Sequence, residues 1–240
     1  MAVLSLIGFG AFVGVSLWVG ARLLLLARRT REVPELAIGA ALFLGGAGYC
    51  VSMAAFRLHL VPAPLLRAAF AVAMAALAVG VIALAVGVWK LFRPGERWAL
   101  AAVAATALVQ TASWAAGVFD FRPDGSRSAF VFWSFNATGA AAYAWSAFEC
   151  FRYNAVLRRR ARIGLVDPEL AHRFRLWAIA GGAGAAVFLV GMIARPFVTG
   201  PQPAVLFAQS MCGFIAGVAI WLAFFPPVAY VRRIAGEGAR

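Results

Sequence analysis

Charge is scarce in this chain. Of its 240 residues only 13% are charged, whereas 64% are hydrophobic, and soluble domains ordinarily carry roughly a quarter charged residues. A soluble globular domain is excluded by that balance alone. Since a spanning helix takes ~20 apolar residues, the length allows roughly seven or eight crossings and leaves no room for an appended kinase, cyclase or DNA-binding domain.

Reactive side chains are just as sparse. There are two histidines and three cysteines. His59 and His172 fall on opposite sides of the predicted bilayer, so its ~30 Å thickness rules out a bis-histidine haem. No HExxH or comparable spacing supplies a zinc site. Cys50, Cys150 and Cys212 make no disulfide framework and read as small buried apolar groups, with a Cys50–Cys212 bridge requiring helices 2 and 7 to touch. No nucleophile–base pair can be assembled, so the expectation is a non-enzyme with no catalytic residue, no metal and no covalent cofactor, open to a non-covalent lipid or isoprenoid.

What is present is long apolar runs ended by Arg, Pro or turn residues. These predict helices over 2–27, 34–57, 64–92, 97–119, 128–157, 168–195 and 203–231. The fold class is therefore an all-α membrane protein, a single domain over 1–240 with seven transmembrane helices. The first run lacks a basic n-region and ends in Ala27-Arg28-Arg29, so it is retained as helix 1 rather than read as a signal peptide.

The basic residues explain themselves once they are placed on alternate sides. Seventeen of the 22 collect on one side and five, Arg57, Arg67, Arg122, Arg127 and Arg195, on the other. Lys and Arg near helix ends resist translocation, which puts the N-terminus outside and the C-terminus in the cytoplasm. The net charge of +13 is thus topological, not a nucleic-acid signature. Arg158, Arg159, Arg160, Arg162, Arg232 and Arg233 form a basic cytoplasmic face for anionic inner-leaflet lipid, at ~1 kcal/mol per residue near the surface, or for an acidic partner protein. Trp89, Trp98, Trp133 and Trp177 read as interface anchors, while Trp18, Trp114, Trp145 and Trp221 lie deeper.

Small residues mark where helices approach: Gly10 with Gly14, Gly45-Gly46-Ala47-Gly48, Gly181-Gly182-Ala183-Gly184, and Gly213 with Gly217. In lipid, close backbone approach must supply the attraction, so these are packing seams, and one of them could also serve a homo-oligomer. Pro34-Glu35-Leu36-Ala37 leads to the first glycine tetrad as Pro168-Glu169-Leu170-Ala171 leads to the second. That echo fits a parallel 3+1+3 repeat, 1–93 and 128–233 around linker helix 97–119, with chance in an Ala/Gly-rich chain as its rival.

Polar residues inside the spans are the candidates for a site. Tyr49, Gln110, Trp114, Asn136, Tyr143 and Gln209 all fall in the outer half of their helices by rise per residue. They read either as interhelical hydrogen bonds worth ~0.6 kcal/mol each or as an outward-facing cavity for a small neutral or amphiphilic ligand. Glu149 is the acid closest to the membrane interior. It pairs locally with Arg152 at i+3, or latches helix 5 to Arg173 or Arg175 at the start of helix 6 as a cytoplasmic switch.

The last helix closes Trp221-Leu222-Ala223-Phe224-Phe225-Pro226-Pro227 and then Tyr230-Val231-Arg232-Arg233. This resembles the end of the seven-helix sensor modules at the N-terminus of some bacterial histidine kinases. Here the chain stops at Arg240 without an output domain, so the resemblance implies a stand-alone sensor module in the bacterial inner membrane, acting on a cytoplasmic signalling protein. The topology is also similar to that of microbial opsins. Retinal attachment in that family needs a lysine in the last helix, where this chain has Gln209, Ser210 and Cys212, and its single lysine is Lys90 in helix 3. The reading is a receptor or sensor, with a facilitative transporter as first alternative and a structural or partner-binding membrane protein as second. Pro201-Gln202 resembles half of a PQ-loop motif without a counterpart in the first half.

Overall fold

The computed structural model describes residues 2–58, 60–123, 127–195, 203–227 and 230. His59, Pro201, Gln202, Arg232, Arg233 and Arg240 lie outside the described residues. Among those described there is helix and turn but no strand. The helices are α1 (Ala2–Thr30), α2 (α-helical Val33–Ala40, π-helical Ala41–Gly48, α-helical Tyr49–Arg57), α3 (Leu66–Phe92, behind a 3-10 turn at Ala63–Leu65), α4 (Arg97–Phe119), α5 (Ala129–Ala161), α6 (Pro168–Ala194) and α7 (Pro203–Phe224). Six of them, all but α5, are long and apolar enough to cross a membrane. The protein is a polytopic membrane protein.

Two boundaries differ from expectation for local reasons. Helix 7 stops at Phe224 rather than 231, because Pro226 and Pro227 remove two donors in succession and the residue before a proline avoids the α region. Helix 5 continues through Arg158–Arg160 to Ala161 and stops where Gly164 takes φ +72°, letting the Leu165 N–H return to the Arg160 carbonyl at 3.0 Å. The α1–α2 connection is tight: Arg31 sits at φ +59°, a strained value for a residue with a Cβ.

The arrangement is a ring with one helix outside it. Packed neighbours run α1, α2, α3, α5, α6, α7 and back to α1, while α4 touches only α3 and α5 among the major contacts. Two buried cores hold the ring, one built from α2, α3 and α5 around Met53, Phe56, Phe70, Met74 and Phe135. The other joins α1, α6 and α7 around Val19, Leu23, Leu176, Ala180 and Ile220. The α2–α3 seam depends on glycine facing glycine. A Cβ on Gly80 would lie 2.4 Å from the Gly45 Cα, closer than any carbon can come. The α1–α7 seam seats Phe12 against Gly213 and Gly217, whereas Gly10 and Gly14 face open space.

Short connections make successive helices alternate in direction. One end of the bundle, here the Arg127 end, carries the α2–α3, α4–α5 and α6–α7 connections. The other, the Glu149 end, carries the remaining three.

Candidate functional site

The ring surrounds a partly open cavity of about 510 Å³, within the usual ~300–1,000 Å³ of small-molecule sites. Its walls come from α1, α2, α3, α5, α6 and α7; no α4 residue lines it. It runs from Leu58, Arg127 and Leu206 at one end to Ile38, Trp177 and Ile220 toward the other. The wall is mostly aliphatic and aromatic. The π-helical turn of α2 contributes Ala41, Leu42, Gly45 and Gly46. The small residues there leave room.

Of the polar residues expected to line a pocket, four do so. Tyr49, Asn136, Tyr143 and Gln209 are all in the wall. Asn136 donates to the Phe132 carbonyl of its own helix at 2.7 Å, and Gln209 donates across to the Val187 carbonyl of α6 at 3.0 Å. Tyr143 stacks on Phe188 with ring centroids 5.7 Å apart. Gly184 lies directly under its ring, and a Cβ there would meet the Tyr143 ring at 2.3 Å.

Gln110 and Trp114 do not line the cavity and instead make the interhelical hydrogen bonds that were the other reading. Because α4 lies outside the ring, Gln110 is fully buried in the α4–α5 seam, donating to the Phe135 carbonyl at 3.1 Å and to Thr138 Oγ1 at 2.8 Å. Ser113 and Ser134 share a 2.6 Å hydrogen bond in the same seam. Trp114 donates its indole N–H to the Ala71 carbonyl of α3 at 3.0 Å. These three polar side chains fasten α4 to its neighbours, as buried donors in an apolar medium must find acceptors.

Glu149 keeps the expected local pair with Arg152 but not the expected latch to α6. It is 3% exposed, and its principal partner is a residue that sequence distance concealed: Arg93, whose Nε donates to Glu149 Oε1 at 2.8 Å. Arg152 Nη1 stands 3.9 Å from the other oxygen, while Arg173 pairs with Glu169 on its own helix at 2.6 Å and Arg175 is exposed. The expected latch to α6 is therefore replaced by a clasp to the α3–α4 turn. That turn is closed by the Glu96 N–H to the Arg93 carbonyl at 3.2 Å, with Gly95 at φ +85°, and it aims Arg93 back at α5. The hydrogen bonds to Glu149 and then Glu96 raise the Arg93 pKa further above its already high value. The Trp98 indole N–H, followed by Arg93, holds the Glu96 carboxyl below the usual carboxylate range. The Arg-Pro-Gly-Glu turn at the same end as Glu149 was the available signal, and it names no partner by itself.

Several other expected features fall into place around this frame. Trp177 is in the cavity wall and packs edge-on against Phe224 at 5.4 Å, so it does more than anchor an interface. Trp18 is 62% exposed and faces outward. His172 hydrogen-bonds Tyr230, tying the start of α6 to the segment beyond α7. Cys50, Cys150 and Cys212 are free. Lys90 lies over the Trp89 ring at 4.1 Å, at the end of α3. Arg158, Arg159, Arg160 and Arg162 are exposed. No protein-family model matches this chain, and no curated protein or solved structure matches it significantly.

Proposed function

We propose that the protein is a seven-span sensor of the bacterial inner membrane which binds a small amphiphile in its central cavity and reports occupancy at its cytoplasmic face. The observation that carries this reading is the largely apolar, partly open cavity itself, walled by six helices and lined in part by Tyr49, Asn136, Tyr143 and Gln209. The α5 helix acts as the seventh span. Its polar Ser134, Asn136 and Thr138 are offset by hydrogen bonds within the bundle, and its 33 residues are ample for a crossing at 1.5 Å each. The excess of Arg at the Glu149 end supports an outer N-terminus.

A route from ligand to cytoplasm is built into α5. Tyr143 and Ser146 line the cavity, and Glu149, one turn beyond Ser146, holds Arg93. A ligand that displaces Tyr143 rotates α5 and loads that clasp, changing how the exposed arginines of its extension present themselves to anionic lipid or to an acidic signalling partner. Such coupling requires that the ligand favour one of two arrangements.

The test is mass spectrometry of protein purified in mild detergent, joined to spin-label distances between the cytoplasmic ends of α5 and α6. A co-purifying amphiphile displaced by Gln209→Leu, with a shift in the α5–α6 distance on its removal, is the expected result. An empty protein with an invariant distance overturns it. A facilitative transporter is the second reading, favoured by a ring order in which α1, α2, α3 and then α5, α6, α7 follow one another with α4 outside, an order compatible with a parallel 3+1+3 repeat. Uptake of a fluorescent amphiphile into liposomes, absent from protein-free vesicles, would decide for transport.

A further inference from the structure

The described cavity lining is uncharged except at one place. Among the described lining residues Arg127 is the single charged side chain, and no carboxylate accompanies it. It sits in the α4–α5 connection, one residue before Ser128, whose Oγ accepts from the Val131 N–H and caps α5. Its position is braced from α6: Arg195 donates to the Arg127 carbonyl at 3.0 Å while its own guanidinium lies 4.0 Å from the Phe132 ring. The Arg127 guanidinium is 5.8 Å from the ring of buried Phe70. Among the described residues neither arginine has a carboxylate within ion-pair distance. Asp120, the described acid of the same connection, pairs instead with Arg122 at 3.6 Å, and Asp124 lies outside the described residues.

A largely apolar cavity whose one guanidinium has no carboxylate partner among the described residues is the negative image of an amphiphile with an anionic head. We infer that the cavity takes a single-tailed amphiphile whose carboxylate or phosphate is held by Arg127, with its tail among Tyr143, Phe188 and Trp177. A guanidinium presents two parallel N–H groups to either head, and the bond strengthens where water is thin. This inference rests on the cavity being a ligand site, and adds to that reading the charge of the ligand and the direction in which it lies.

Binding of tritiated oleate to the full chain, delipidated in a non-ionic detergent, tests it by scintillation proximity, with unlabelled oleate, oleoyl lysophosphatidate and oleyl alcohol as competitors. Either anion is expected to compete at least about tenfold better than the neutral alcohol, the value of one charge-assisted hydrogen bond. The better of the two identifies carboxylate or phosphate as the head. R127Q is expected to abolish that preference and R127K to keep most of it, with Ala180→Phe obstructing all three. Equal competition by anion and alcohol on the unaltered protein overturns the anionic head while leaving the cavity reading intact. Oleate binding that Ala180→Phe does not reduce places it elsewhere, and no saturable binding of any competitor removes the cavity reading as well. Should R127Q fail to fold, the anion-to-alcohol ratio on the unaltered chain decides alone.

Discussion

Two helices of this protein begin with the same words and end differently. α2 and α6 each run from Pro-Glu-Leu-Ala to Gly-Gly-Ala-Gly, yet the tetrad of α2 is π-helical and that of α6 lies within one continuous α-helix, Pro168–Ala194. The neighbours account for the difference. Gly45 faces the Gly80 backbone of α3 and Gly46 faces Ser16 of α1, so the α2 tetrad is squeezed from two sides. In α6, Gly181 and Gly184 both face α5, while a Cβ on Gly182 would meet nothing within 4 Å. The helix starts differ as well. Asp167 accepts from the Glu169 N–H at 2.8 Å and caps α6, whereas Glu32 precedes α2 without a side-chain cap. Identical strings thus specify a helix face with small side chains that can be approached closely, and the surroundings decide on which side and with what turn.

The largest effect that would sharpen this contrast comes from Gly80→Ala. Its methyl meets backbone, which cannot rotate away, so the loss should reach the upper part of the ~1–3 kcal/mol range for overpacking. Gly184→Ala meets the movable Tyr143 ring instead and should cost less; equal losses in detergent unfolding would break the distinction between backbone-sealed and side-chain-sealed seams. Next comes Asn154→Leu. Buried Asn154 donates to the Ala171 carbonyl and ties α6 to α5 at the Glu149 end, and its removal should cost about 0.6 to 1.7 kcal/mol and free the first turns of α6 to hydrogen exchange. Asp167→Ala should follow at ~1 kcal/mol for a lost N-cap, while Glu32→Ala leaves the thermal midpoint unchanged. The smallest effect has the opposite sign: Gly182→Ala should stabilise by ~0.5–1 kcal/mol, because a mid-helix glycine with free space beside it gains from a methyl. Its counterpart Gly46→Ala, 2.8 Å from Ser16 Oγ, should destabilise, and gains at both positions would show that the tetrads are packed alike after all.

Much of this architecture was legible before any coordinates. The apolar runs placed the described helices to within a few residues except at the end of helix 7, seven residues beyond Phe224, since length and Arg or Pro stops are local properties. Depth was legible too, and it put Tyr49, Asn136, Tyr143 and Gln209 at the level where the cavity lies. Which helix a polar face meets is not a local property. Gln110 and Trp114 share a depth and a polarity with the cavity residues, but their helix stands outside the ring, so they bind neighbouring helices. Arg93 escaped notice as the partner of Glu149 because 56 residues separate them and only the closed bundle brings the α3–α4 turn beside α5. The π-helical turn had no sequence signal at all, arising where α1 and α3 press on α2 together.

The seam between α1 and α7 has a consequence for assembly. Phe12 of the earliest helix seats against Gly213 and Gly217 of the last one described, so a nascent chain inserting in order carries an open trough until α7 arrives. The ring therefore closes only when the last span is in place, and the Phe12 contact is the one that joins the two ends of the insertion order.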